Sequence, residues 1–83
     1  MAVRISFEAR QDFEALPVPI QVRVREITER LNRWPNVSGA KPLKYAWKGH
    51  FRIRTGDWRV IFRPVGDDVL IARIANRRDV YED

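Results

Sequence analysis

Three sets of core-type residues with period two, Phe51-Ile53-Thr55, Trp58-Val60-Phe62 and Leu70-Ala72-Ile74, follow one another across two glycine-containing turns. Alternation of this kind marks strands with one buried face, and strands joined this closely pair as antiparallel hairpins. The parity of the apolar positions then sets the loop lengths. The first set is odd and the second even, so placing both on one face requires an even loop. Gly56-Asp57 supplies it, with glycine at the first position of a type II′ turn. That turn pairs Thr55 with Trp58, Arg54 with Arg59, Ile53 with Val60, Arg52 with Ile61 and Phe51 with Phe62. The third set has the parity of the second and asks for an odd loop. Gly66-Asp67-Asp68 provides three residues, placing Phe62 opposite Ala72 and Val60 opposite Ile74.

Upstream, Val3, Ile5 and Phe7 alternate with Arg4 and Ser6 and predict a strand over 2–7. Ala9, Phe13 and Leu16 change the period to that of a helix over 8–16, which Pro17 and Pro19 stop. Ile20, Val24, Ile27, Leu31 and Trp34 form an apolar stripe and predict a second helix over 20–34 that Pro35 ends. Its other face carries Arg23, Arg25, Glu26, Glu29, Arg30 and Arg33, and reads as a solvated face. The stripe spans about two heptads, too few for a coiled coil. Residues 36–49 show no sustained period. Asn36-Val37-Ser38 matches a glycosylation acceptor, and in a chain without an export signal it is taken as chance.

The expected architecture is α+β: a mainly antiparallel sheet with two N-terminal helices packed on one face, in a single domain over 1–83. With 83 residues there is room for one helix layer on one sheet and no second core. No apolar run approaches the roughly 20 residues of a membrane span, and the N-terminus lacks a secretory apolar segment. The expected setting is therefore the cytoplasm, away from membranes. The chain has no cysteine and one histidine, His50, which excludes thiolate chemistry and a histidine-rich metal site. No cofactor is implied.

Sixteen Lys and Arg against 11 Asp and Glu leave a net charge of +5, and such a balance points to a polyanionic partner. The register places Arg52, Arg54, Arg59, Arg63 and Arg73 on the sheet face turned away from the helices, with Ile61, Val69 and Ile71 among them. Guanidinium forks match phosphate oxygens, so this face is expected to bind an anion; the other reading is a solvated sheet face with Asp or Glu of the tail as neutralising partners. The segment Lys41 to His50 adds three lysines with Tyr45 and Trp47. Aromatics interleaved with cations can stack bases while the charges hold the backbone. Trp47 serves equally well as a cap on the core edge.

The run Phe51-Arg52-Ile53-Arg54-Thr55-Gly56-Asp57-Trp58-Arg59-Val60-Ile61-Phe62, followed by Arg77-Arg78-Asp79-Val80-Tyr81, resembles the RelE/ParE toxin superfamily. That family has a recurrent basic hairpin and an Arg-Arg-x-x-Tyr close. The resemblance covers nearly the whole chain. It implies a small RelE-like fold and a type II toxin neutralised by a cognate antitoxin. On the RelE branch it implies an endoribonuclease that cuts mRNA in the ribosomal A site, in contact with ribosomal RNA. By position, Arg52 and Arg54 match the family's paired basic residues and Arg59 its phosphate clamp. Arg77 or Arg78 matches a second basic residue, and Tyr81 a tyrosine that stacks on a base or orients the attacking hydroxyl. Lys44, Trp47, Lys48, Arg63 and Arg73 are then candidate RNA-binding residues.

Two departures bear on the chemistry. RelE itself carries two lysines where this chain has Arg52 and Arg54, and arginine is a poor general base. Many relatives place a histidine where this chain has Asn76, which cannot act as a general acid. His50, two residues before Arg52 on the same strand face, is the substitute to test, since an ordinary imidazole pKa of about 6.5 suits proton transfer; a loop histidine without a role is the other reading. Two alternatives share the fold: a ParE-like module that poisons DNA gyrase, and an inactive relative kept as a binding partner.

Overall fold

A computed structural model describes residues 2–80. Strand β1 (Val3–Ile5) leads into helices α1 (Phe7–Glu14) and α2 (Val18–Arg30). Strands β2 (Lys41–Pro42), β3 (Phe51–Thr55), β4 (Trp58–Val65) and β5 (Asp68–Asn76) follow. The sheet order is β1-β5-β4-β3-β2, with β1 parallel to β5 and the other pairs antiparallel.

Each helix begins where the sequence offers a reason. Ser6 caps α1, its hydroxyl accepting from the Ala9 N–H at 3.0 Å. Pro17 precedes α2, and Pro19 sits within its first turn, where a missing N–H costs nothing. Both helices start earlier than the apolar periodicity suggests, and α1 ends two residues sooner. The second helix reaches only Arg30. A single 3₁₀ turn, Leu31–Arg33, replaces its predicted end, yet Trp34 still packs edge-on against Phe51 and Phe62, at 4.8 and 5.1 Å.

The main core joins Ala9, Leu16, Val24, Ile27 and Leu31 to Ile53, Val60, Phe62, Val69, Ile71 and Ile74 of the sheet. The five pairs predicted for the first hairpin are all present, with Gly56 at φ +59°. The second hairpin differs. Its loop is Gly66-Asp67, two residues rather than three, because Val65 pairs with Asp68. Phe62 faces Ile71 instead of Ala72, while Val60 faces Ile74 as expected. An irregularity at Ile61/Phe62 reconciles the two parities: Ala72 is an extra residue on β5, a β-bulge. Val69 and Ile71 therefore lie in the main core, not on the arginine face, and Leu70 and Ala72 are only half-buried. The bulge is tied down where β1 passes into α1. Ser6 Oγ donates to the Ala72 carbonyl at 2.7 Å, and Ser6 N–H donates to that of Ile71 at 2.9 Å.

The segment 36–49 contains structure that its lack of period concealed. β2 pairs Lys41 with Arg52 and Pro42 with Phe51, and Tyr45–Trp47 forms one 3₁₀ turn. No helix among the described residues is long and apolar enough to cross a membrane.

Candidate functional site

The sheet face away from the helices carries two basic rows. One row runs Lys41, Arg52, Ile61, Arg73 across β2 to β5; the next runs Arg54, Arg59, Ala75. Contrary to the expectation of a single core, a small second cluster sits on this face, where Leu43, Ile61 and Val80 are buried with Trp47 and Ala75 against them. The segment 43–50 and the chain after β5 thus converge on Ile61 and wall the arginines between them.

Within that wall Arg52 and Arg59 are each only 6% exposed, whereas Arg54 is exposed. Arg59 Nη1 donates to the carbonyls of Gly56 and Trp58, both at 3.2 Å, so the tight turn it follows also orients its guanidinium. Arg52 Nη1 donates to the Gly39 carbonyl at 3.4 Å, and Arg30 Nη2 to that of Ser38 at 2.6 Å. Two cations thus hold one loop, and a groove of about 310 Å³ opens among Arg30, Lys41, Arg52 and Arg54. Buried charged groups require such hydrogen bonds, and the bonds fix where the cations point.

The remaining candidates divide. Arg77 joins the hairpin end: its N–H donates to the Asp57 carbonyl at 2.7 Å, and its Nε lies 3.6 Å from Asp57 Oδ1. Arg78 turns toward a different groove of about 480 Å³, lined by Asp12, Trp58, Arg73 and Asn76; its N–H and Nε donate to Asn76 Oδ1 at 3.1 and 3.4 Å. Asn76 is therefore the cap of the 3₁₀ turn Arg77–Asp79. Arg63, opposite Leu70 beyond the bulge, lies four residues along β4 from Arg59, roughly 13 Å.

Arg73 is held by Asp12, with Nε to Oδ2 at 2.8 Å and Nη2 to Oδ1 at 3.1 Å. The same carboxylate accepts from the Ile74 N–H at 2.9 Å. The hydrogen bond from Asp12 raises the Arg73 pKa above the ordinary guanidinium value, outweighing the opposing effect of burial. Arg73 thus closes the open edge of β5 beyond β1.

His50 belongs to no strand, contrary to the strand placement its spacing suggests. It is half-buried, with its ring edge-on to Trp47 at 5.2 Å and its carbonyl accepting from the Leu43 N–H. Its Nδ1 is enclosed, with no hydrogen-bond partner among the described residues. Trp47 is half-buried against the Ile61 cluster, while Lys44 and Lys48 are exposed on either side of its turn. Tyr81 lies outside the described residues. Sequence reasoning counted Lys41 only among the three lysines of its segment and did not place it opposite Arg52, because its two-residue strand has no readable period; it missed Asp12, whose role depends on where β1 ends. Among the described residues, no three of His, Asp and Glu gather as a metal site requires.

Comparisons place this arrangement among known proteins. The sequence profile of the family described as the ParE toxin of the type II toxin-antitoxin system parDE matches residues 3–81. Toxin RelG of Mycobacterium tuberculosis is 36% identical over 83 residues, covering 95% of this chain and 93% of that protein. The toxin-antitoxin complex RelBE2 of the same organism contains a chain that superposes with a TM-score of 0.77 at 33% identity, covering 92% of this chain and 96% of that one. A chain of the RelB-RelE antitoxin-toxin complex of Methanococcus jannaschii, at 21% identity, has the same fold with a TM-score of 0.77 over 94% of each chain. With the family's profile matched over residues 3–81 and its basic hairpin in register, this chain belongs to the RelE/ParE superfamily of type II toxins.

Proposed function

We propose that this toxin is a metal-independent endoribonuclease that cuts mRNA in the ribosomal A site. The observation that carries the reading is the pairing of Arg54 with Arg59 beside a buried Arg52. Cleavage has the substrate's 2′-hydroxyl attack the adjacent phosphorus, forming a cyclic phosphate and releasing the 5′-oxygen as a hydroxyl. Negative charge accumulates on the phosphoryl oxygens, and cations already oriented toward it lower the barrier without reorganising. Arg59, anchored through Nη1, is suited to that clamp, with Arg52 and Arg54 completing the cationic surface and Arg77 at its turn end. His50 is the proposed proton-transfer group, and Tyr81 the residue that stacks on a base or orients the hydroxyl. Lys44 and Lys48 flank the surface and hold the RNA backbone or ribosomal RNA.

The partner that neutralises the toxin is proposed to be a cognate antitoxin bringing acidic residues to the arginine face, consistent with the net charge of +5 and with the antitoxin-bound relatives. A second reading, poisoning of DNA gyrase, is favoured by one observation, the match to the ParE profile over residues 3–81. Induction of the toxin followed by mapping of mRNA ends separates the two. Cuts that require ribosomes support the endonuclease; DNA breaks with intact mRNA support gyrase poisoning.

A further inference from the structure

Tyr45 has φ +58°, in the left-handed region where a Cβ crowds the backbone and glycine is the natural occupant. The residue is 78% exposed, so little packing within the fold offsets that strain. The backbone around it is nonetheless well fastened: Trp47 N–H donates to the Lys44 carbonyl at 3.2 Å, Lys48 N–H to that of Tyr45 at 3.0 Å, and His50 N–H to that of Trp47 at 2.9 Å. Trp47 then anchors the turn on the cluster containing Ile61, the cross-strand neighbour of Arg52. An unfavourable conformation held this firmly, with the side chain turned outward, is a pattern associated with function.

We propose that Tyr45 is a stacking platform for an unpaired base of single-stranded RNA at the rim of the arginine face. The proposal rests on the endonuclease reading for the identity of its ligand. Every base presents a π-face, and a ring beside cations takes the base while the cations take the backbone. Lys44 and Lys48 stand exposed at the two ends of the tyrosine's turn, and exposed Lys41 lies across from Arg52. That charge favours a polyanion, and the exposed ring among the cations favours one that carries bases over an acidic protein segment. Of the two aromatics that the sequence offered for stacking, Trp47 is committed to the Ile61 cluster and to His50. Tyr45 is the ring left facing outward.

The test compares the wild type with Tyr45→Phe, Tyr45→Ala and Tyr45→Gly in the intact protein. Three quantities are measured: affinity for a short single-stranded RNA with uncleavable 2′-O-methyl riboses, cleavage of mRNA on ribosomes, and the melting temperature. Tyr45→Ala and Tyr45→Gly are expected to weaken RNA binding by roughly ten- to a hundredfold and to raise KM with kcat unchanged, while Tyr45→Phe retains both. Tyr45→Gly should also melt a few degrees higher than Tyr45→Ala, showing that lost binding is not lost folding. Wild-type RNA affinity in Tyr45→Ala, or no RNA affinity in the wild type, overturns the proposal. Cleavage by the wild type together with unchanged RNA binding by Tyr45→Ala removes the platform and leaves the endonuclease. Binding that depends on Tyr45 without any mRNA cleavage removes the endonuclease and keeps the platform.

Discussion

Arg54 and Arg59 are direct partners across the Gly56-Asp57 hairpin, which brings the Cβ atoms of two cationic residues to within about 4.5–5.5 Å. Arg59 is the buried member and is anchored to the turn's own carbonyls. If phosphate stabilisation dominates the chemistry, Arg59→Ala should lower ribosomal mRNA cleavage by about 10² to 10³. Arg63→Ala, at the far end of β4, should change it little. Comparing kcat/KM of the two variants, with melting curves to confirm folding, is the check. Equal losses would rule out Arg59 as the clamp.

The pair should act as a unit. Two guanidiniums directed at one phosphate lose most of their joint effect when either is removed, so Arg54→Ala combined with Arg59→Ala should be scarcely worse than Arg59→Ala alone. A double-mutant cycle on kcat/KM measures this. Simple additivity would mean that the two arginines serve separate phosphates.

Asp12 predicts a stability effect away from the proposed chemistry. Its carboxylate is 17% exposed and accepts from the Ile74 N–H as well as from Arg73. Asp12→Ala should cost about 1.5–3 kcal/mol in urea unfolding, and Arg73→Ala less, because Arg73 is 46% exposed and the Ile74 bond survives. The raised Arg73 pKa means that its contribution is fully present below the ordinary guanidinium pKa and is lost only as pH rises beyond it. The guanidinium should therefore add no pH dependence to stability near neutrality.

His50→Gln should flatten the pH dependence of cleavage near neutrality if the imidazole moves the proton. Wild-type cleavage and pH profile in that variant would remove His50 from the mechanism. Tyr81→Phe separates stacking from hydroxyl chemistry: little loss means stacking, and a loss equal to that of Tyr81→Ala means that the hydroxyl orients or handles a proton.

The first hairpin was fully legible because a two-residue turn leaves the ladder no freedom: once Gly56-Asp57 is the loop, every pair from Thr55–Trp58 to Phe51–Phe62 follows. The second hairpin contained the same parity information but admitted two solutions, an odd loop or an even loop with a bulge. Nothing local to Val65–Asp68 distinguishes them. The choice was made at Ala72, where the Ser6 hydroxyl and N–H reach the carbonyls of Ala72 and Ile71 and stabilise an irregular β5.

The arginines that share a face, the apolar stripe of α2 and the family's basic hairpin were determined by the sequence alone, since period and turn length are local properties. Which arginines are buried and what holds each of them was decided only by tertiary structure. Asp12 arrives from α1 to hold Arg73; Val80 and Leu43 close over Ile61 and wall Arg52 and Arg59; Trp47 turns inward and Tyr45 outward. Each outcome depends on residues distant in the chain meeting around one strand, and local periodicity contains no information about such meetings.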